Sequence, residues 1–538
     1  MTSPPSPALP TIIALARSGA LDRARRLFDE AGLGSVTDEP ATLSVRGRLL
    51  KDEARRAPAA ERPRLWREAG DAYALAADLS GATYHLINAA TLALLAGDRP
   101  MAEARAQQVL DKLEAGDTGP ETPYYLGATR AEALLLLGRA AEAQAALEAA
   151  CRLAPEAWED HASTLRQFSL ILETRGEDAG WLEPLQPPRS LHFAGHMGVV
   201  DTADLRERID ALLAVERIGF AWGALAGGAD LIVAEAVLAR GGELHLVLPA
   251  SAAVFRADSA APLGGDWATR FDAVLEQATS VWVVEPGRRA TTMLHIRLAA
   301  EIAMGRAVMK AASLASEAVQ LLLTDPQGAA SATDLIGAHW RRGGRRQVRL
   351  DQPRPSGAGR RGRSLPEKPG AGVLAAMLAV TLDGEDGGGD DPASLGRIAA
   401  VLAGAARPLT TPVFAGGALH IAFADPAEAA RAAGLISGGL GPDGPRIAGH
   451  YGVVQSADSP FGGPSVLVGP TTGVASDLLA STPAGAIHVT GSFAAALHGW
   501  THLAGGECPH IGELSRAGEV ISLYALTRAG PWTEIGSD

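Results

Sequence analysis

The chain has very little lysine, four residues against forty-four arginines in 538. Together with the abundance of alanine, that bias reads as the mark of a GC-rich coding sequence rather than of arginine chemistry. Cysteine is scarcer still: Cys151 and Cys508 stand alone, with no CxxC pair and no metal-ligand spacing, so both read as small buried apolar residues. No apolar run reaches about 18 residues, which excludes a bilayer-spanning helix. The start, MTSPPSPALP, lacks the basic and apolar regions of a signal peptide, and the expected location is cytoplasmic. Positive charge is also short overall. A net charge of −13 argues against general nucleic-acid or membrane-surface binding, since both partners are densely negative.

What is present suits folded domains: 47% hydrophobic and 20% charged residues in a chain too long for one core. Residues 8 to about 180 carry apolar and alanine positions at helical spacing, as in ALARSGALDRARRLF, ATYHLINAATLALLAG and ATRAEALLLLG. Three stretches, Gly19 to Phe28, Gly97 to Leu110 and Gly138 to Leu147, share a Gly, a short polar step and an Ala-rich helix. That is the pattern of stacked helical hairpins. Asn88, Arg130 and Asp160 are expected to make hydrogen bonds between helices of the array. QPPRS (Gln186–Ser190) ends it, because consecutive prolines stop a helix.

The period then changes. Strands such as LHFAG, GFAWG and LHLVLP alternate with helices such as DLRERIDALLAVERIG and LIVAEAVLARGG, which predicts a parallel α/β sheet over residues 186–350. Two glycine turns follow two of the strands: Gly195-His196-Met197-Gly198, and Gly227-Gly228-Ala229-Asp230 leading into the helix that carries Glu235. Neither turn is a GxGxxG or a GxxxxGK[ST] motif. Such turns, at the carboxyl ends of parallel strands, suit nucleotides or phosphates. The candidate ligand-binding residues are therefore Gly195, His196, Gly227, Gly228, Asp230 and Glu235. His196 equally suits a role capping its own turn, Asp230 an ordinary helix N-cap, and Glu235 an ion pair with arginine. A Gly228→Val change is expected to abolish ligand binding while leaving the unliganded fold intact.

Between Arg341 and Lys368 stand ten basic residues and two acidic ones, a local +8 in an acidic chain. The stretch mixes Arg, Gly, Pro and Ser without periodicity and reads as a flexible basic linker, centred on 351–372. Beyond it VLAAMLAVTL, GALHIAFAD, RIAGHYGVVQ and AIHVTGSF read as strands among Ala-rich helices, a second α+β domain over 373–538.

Several words in these segments resemble known families. GRLLKDEA (Gly47–Ala54), YHLINAATLALLAGD (Tyr84–Asp98), YYLGATRAEALLLLG (Tyr124–Gly138) and WEDHASTLRQF (Trp158–Phe168) resemble the TRAFs-binding domain, a tetratricopeptide-like array. The resemblance implies a scaffold for protein partners over 1–185. FAGHM, GALAGGADLIVAEAVLARGGELHLVLP and GDWATRF resemble the SLOG superfamily of Rossmann-like domains, which implies recognition of a nucleotide or nucleotide derivative.

RIAGHYGVV (Arg446–Val454), VGPTTGVASDLLASTPAGAIHVTGSFAAAL (Val468–Leu497) and IGELSRAGEVISLYALT (Ile511–Thr527) resemble the class III adenylate/guanylate cyclase domain, with its ferredoxin-like α+β fold. Family chemistry needs two aspartates holding two divalent ions, and an Asn and Arg for the transition state. The matching positions carry Val380, Gly417, Gly473 and Asp477, and Arg516 takes the place of the base-reading lysine. Asp383, Glu385 and Asp386 lie a few residues past the first position, in what reads as a solvated loop.

The expected protein has three parts: an all-α repeat array, an α/β Rossmann-like sheet and a cyclase-like α+β domain. It is a regulatory scaffold that leans away from enzymatic activity, with no catalytic residue, metal or cofactor, a nucleotide-type ligand in the middle domain, and homo- or heterodimers through the last. The alternatives are an enzyme acting on a nucleotide derivative, with Asp230 or Glu235 as base, and a purely structural protein.

Overall fold

The computed structural model describes residues 8–17, 20–116, 121–326, 332–354, 372–381, 392–405, 407–440, 444–458, 466–500, 506–516 and 518–528. Its first part is helical: α1 (Leu9–Arg17), α2 (Leu21–Glu30), α3 (Pro40–Arg56), α4 (Arg62–Ser80), α5 (Thr83–Leu95), α6 (Arg99–Ala115), α7 (Pro123–Leu136), α8 (Ala140–Leu153) and α9 (Trp158–Arg175). Five of these helices, α1, α3, α4, α6 and α7, place proline in the first turn, where a missing N–H costs nothing. Asp98 and Thr122 cap α6 and α7 by accepting from Met101 N and Tyr125 N. Successive helices pack as hairpins. A Cβ on Gly127 of α7 would stand 2.9 Å from that of Ala150 on α8, so small residues set the approach.

Of the inter-helix bonds expected from the sequence, Asp160 makes one, accepting from the Tyr125 hydroxyl at 2.7 Å. Asn88 instead donates to Tyr84 O within its own helix at 2.8 Å, because one turn of α5 already supplies an acceptor there. Arg130 is exposed. Between helices, the part-buried Glu132 accepts from Thr91 and Gln167, and the buried Tyr124 hydroxyl donates to Thr164 at 2.9 Å.

The second part is a six-stranded parallel sheet of β1 (Arg189–Gly195), β2 (Ile218–Gly223), β3 (Glu243–Leu248), β4 (Ser280–Val283), β5 (Ala318–Thr324) and β6 (Gln347–Asp351), in the order β4-β3-β2-β1-β5-β6. Between them run α10 (Ala203–Val215), α11 (Ala229–Ala239), α12 (Ala252–Ser259), α13 (Trp267–Gln277), α14 (Met293–Ser313) and α15 (Ala332–Arg342). Leu191, Phe193 and Leu321 face α10 and α11. Phe220, Trp222 and Val247 face α14 from the other side. The sheet is thus covered on both faces, as near-continuous apolar strands require.

The first part of the basic stretch, 341–351, departs from its expected role as a linker. Arg341 and Arg342 close α15, and residues 347–351 form the sixth strand. Arg346 pairs with Glu216, Arg349 with Asp334, and Arg345 donates to the carbonyls of His498 and Gly499 at 2.6 and 3.1 Å. Each of these arginines is matched by a group distant in sequence, so a window charge count could not foresee their order. Residues 355–371, and Asp383, Glu385 and Asp386, lie outside the described residues.

The third part holds β7 (Val373–Thr381), α16 (Pro392–Ala405), β8 (Val413–Ala415), β9 (Ala418–Phe423), α17 (Pro426–Gly439), β10 (Ile447–Ala457), β11 (Val466–Val468), α18 (Thr471–Leu479), β12 (Ile487–Thr490), α19 (Gly491–Trp500), β13 (Gly506–Glu507), β14 (His510–Arg516), β15 (Glu519–Ala525) and β16 (Thr527–Arg528). Its mixed sheet runs β14-β15-β12-β10-β7-β9-β8. β7 lies inside the sheet, antiparallel to β10 and β9, and is apolar from Val373 to Val380: Leu374, Ala376, Leu378 and Val380 face one core, Ala375, Met377 and Ala379 the other.

Helix α14 ties the three parts together. One side lies on the parallel sheet and another crosses α19, so that residues from all three parts share one core. Glu301, 2% exposed, accepts from the Tyr451 hydroxyl at 2.7 Å and from Arg297 at 2.7 Å, with Trp500 Nε1 at 3.4 Å. Arg306 donates to the Tyr524 hydroxyl at 2.7 Å and lies over the Trp282 and Tyr524 rings. From the array, Arg166 donates to Ala312 O and Ser313 O, and Glu159 pairs with Lys310.

Candidate ligand site at the carboxyl ends of the parallel strands

The strand order fixes where a ligand fits. From β1 the chain proceeds to β2, β3 and β4 on one side, then returns through α14 to β5 on the other. The connections after β1 and β5 therefore diverge and leave a crevice at their carboxyl ends, the usual ligand position in open α/β sheets. The Gly195–Gly198 turn follows β1, and Asp325 follows β5.

The two glycine turns lie directly on each other. Gly228 has φ +87°, and a Cβ there would meet the Met197 carbonyl oxygen at 2.6 Å. A Cβ on Gly195 would stand 2.2 Å from that of Ala229, and one on Gly227 2.4 Å from Leu263 Cδ1. The glycines therefore answer first to protein atoms. This corrects the expectation for Gly228→Val: with backbone as the obstacle and a left-handed φ, the substitution distorts the unliganded fold.

Asp230 caps neither its own helix nor a free space. Its Oδ1 accepts from Gly195 N at 3.1 Å and its Oδ2 from Ala226 N at 3.2 Å, so one carboxylate ties the end of β1 to the loop after β2. The start of α11 has Gly228 at its cap and no side-chain capping bond. Burial pushes the Asp230 carboxyl up to about 7, against the two N–H donors that lower it. Glu235 faces Arg270 at 2.7 and 2.8 Å and Arg206 at 2.8 Å, with Asp201 completing the network, so the arginine reading of Glu235 holds. Neither acid stands as a free base.

His196 does face the crevice mouth. Its Nε2 lies 2.7 Å from the carbonyl oxygen of Gln352, just past β6, while its Nδ1 is buried and has no partner among the described residues. Burial lowers its pKa, and Arg354 adds to that. A second buried histidine, His295, bonds to Glu285 and Thr292 where α14 begins. Nothing in the sequence around His295 marked it, since its partner lies ten residues away in a loop.

In the third part, Val380 is fully buried on β7, and Gly417 sits in the β8–β9 turn with φ +77°. Gly473 and Asp477 lie on α18, and Asp477 pairs with Arg516 of β14. The opposite charges of Asp477 and Arg516 thus neutralise each other. Among the described residues, no three His, Cys, Asp or Glu side chains are grouped to hold a metal ion.

Residues 11–93, the first part of the helical array, match a family described as Tetratricopeptide Repeats-Sensor. No curated protein matches the chain in sequence. Among solved structures, the guanylyl cyclase Cya2 is similar at 16% identity, over 29% of this chain and 93% of that one, with a TM-score of 0.24. The adenylyl cyclase CyaB from P. aeruginosa is similar at 14% identity, over 29% and 94%, with a TM-score of 0.23. The adenylate/guanylate cyclase/hydrolase from Silicibacter pomeroyi is similar at 16% identity, over 29% and 97%, with a TM-score of 0.24.

Proposed function

We propose that this chain is a non-enzymatic regulatory scaffold. Its helical array binds protein partners, its parallel-sheet domain binds a nucleotide-type ligand in the crevice after β1 and β5, and its last domain is a cyclase-like unit that serves assembly. The observation that carries the reading is the chemistry of four positions, Val380, Gly417, Gly473 and Asp477, where a cyclase needs two metal-binding aspartates, an asparagine and an arginine. Val380 lies wholly inside the sheet, and Asp477 is paired with Arg516. A carboxylate at Val380 would need metal to justify its burial, and each lost charge-stabilising group typically costs several kcal/mol in the transition state.

The purified chain, given ATP or GTP with magnesium or manganese, is expected to form no cyclic nucleotide above a heat-killed control. Metal-dependent production that disappears when Asp477 is changed would overturn the reading. A thermal-shift panel of nucleotides on the full chain tests the sensor part: at one hundred times its dissociation constant a ligand adds about 2.7 kcal/mol of stability. A panel with no stabiliser would leave a structural scaffold.

A further inference from the structure

The orphan nitrogen of His196 narrows the ligand. Resting on the nucleotide reading above, we propose that the crevice takes a ribonucleotide, with a ribose hydroxyl donating to His196 Nδ1 and the phosphate meeting Arg354. The argument begins with the tautomer. A backbone carbonyl only accepts, so Nε2, 2.7 Å from Gln352 O, carries the proton and Nδ1 offers a lone pair. His196 is 6% exposed and its Nδ1 meets no donor among the described residues. A buried acceptor left unpaired is costly, and where one persists a ligand or water supplies the donor.

The space in front of it is defined by an absent side chain. A Cβ on Gly198 would stand 3.5 Å from Nδ1, so the bare α-carbon keeps the approach open. The same point lies 3.3 and 3.5 Å from Cγ and Cδ of Arg354, whose stem covers it. Arg354 is held loosely, 3.9 Å from Asp325, and its side chain is 42% exposed, so it can swing aside and present its guanidinium.

Polarity then selects the ligand. A neutral histidine acceptor beside the Asp325 carboxylate repels phosphate oxygens and welcomes hydroxyl donors, while the Arg354 cation at the rim suits an anion. A sugar with vicinal hydroxyls and a phosphate satisfies both. Burial and the neighbouring Arg354 hold His196 below the ordinary histidine range, which keeps Nδ1 an acceptor near neutral pH.

The test is titration calorimetry of the full chain with the four ribonucleoside 5′-monophosphates, their 2′-deoxy forms and the parent nucleosides. At least one ribonucleotide should bind about tenfold more tightly than its deoxy form, the value of one well-made hydrogen bond. Two substitutions separate the nitrogens. His196→Gln keeps a donor for Gln352 but loses the Nδ1 acceptor, and should erase the preference. His196→Asn keeps an acceptor at the Nδ1 position and should retain it. Arg354→Gln should remove the advantage of nucleotide over nucleoside. Melting temperatures check that each variant is folded. If nucleotides bind but deoxy forms bind equally, or His196→Gln keeps the preference, the inference fails and the nucleotide reading stands. If no member of the panel binds, both fail.

Discussion

The crossing of α14 and α19 predicts a mutation whose sign differs from expectation for the residue type. Gly305 lies in the interior of α14, where alanine is ordinarily better than glycine by about 1 kcal/mol. An ideal Cβ on Gly305 would fall 1.7 Å from Ala495 O, 2.3 Å from its carbonyl carbon and 2.7 Å from its Cα. All three are backbone atoms of a buried helix, so no side chain can rotate away, and ordinary contact would require the helices to separate by well over an ångström. Overpacking of a dense core costs typically 1–3 kcal/mol and occasionally more.

Gly305→Ala should therefore destabilise by about 2 kcal/mol net, a fall of several degrees in Tm for a unit of 150–250 residues. Amide exchange in α19 and around Tyr451 should accelerate with it. Gly396, exposed in α16 with nothing within 4 Å of its would-be Cβ, is the control: Gly396→Ala should stabilise by about 1 kcal/mol. A Gly305→Ala protein that melts higher than the parent, as the control does, would refute the crossing and the fused core built on it.

Removing the Glu301 carboxylate should cost about 2–4 kcal/mol in urea unfolding, because Tyr451 loses its buried acceptor. Glu301→Gln should cost less than half as much, and equal effects of the two would refute the assigned bonds. Asp230 titrates with a raised folded-state value of about 7, so its stability contribution is full below the ordinary carboxylate range and fades as pH rises through 7. The Tm gap between the parent and Asp230→Asn should accordingly narrow from pH 5 to pH 8; a constant gap would refute burial as the cause. The Asp477–Arg516 pair is solvent-facing, with side chains 50% and 32% exposed, so Asp477→Ala should change stability by no more than about 1 kcal/mol. A larger loss would mean the pair holds α18 to β14.

What was legible in the sequence followed from periodicity. VLAAMLAVTL reads as a strand because both faces of β7 are buried, and the alternation of strands with helices gives away the parallel sheet. The hairpins of the array follow from alanine spacing and from the glycines that precede Ala-rich helices. The contact that fuses the second and third parts left no such trace. Gly305 and Ala495 are ordinary small residues in their own helices, and 190 positions of chain separate the two surfaces that only glycine lets meet. Arg345, Arg346 and Arg349, in and just before β6, escape a linear reading for a related reason: their partners, the carbonyls of α19, Glu216 and Asp334, are remote, so a window of sequence holds the charge without the groups that order it.

Asp230 shows the same limit at the site itself. Its position at a helix start offered a cap or a ligand contact, and both readings look outward from one helix. The structure turns the carboxylate inward, with one oxygen for each of two backbone N–H groups from different strands' ends. Asparagine has a single acceptor oxygen, so it leaves one of those donors facing an NH2 group. Asp230→Asn therefore perturbs the scaffold of the crevice whether or not a ligand ever touches residue 230. Loss of binding in that variant cannot be assigned to recognition. Discrimination passes to His196, where one ring nitrogen is used and the other has no partner among the described residues, and where glutamine and asparagine can each replace one nitrogen at a time.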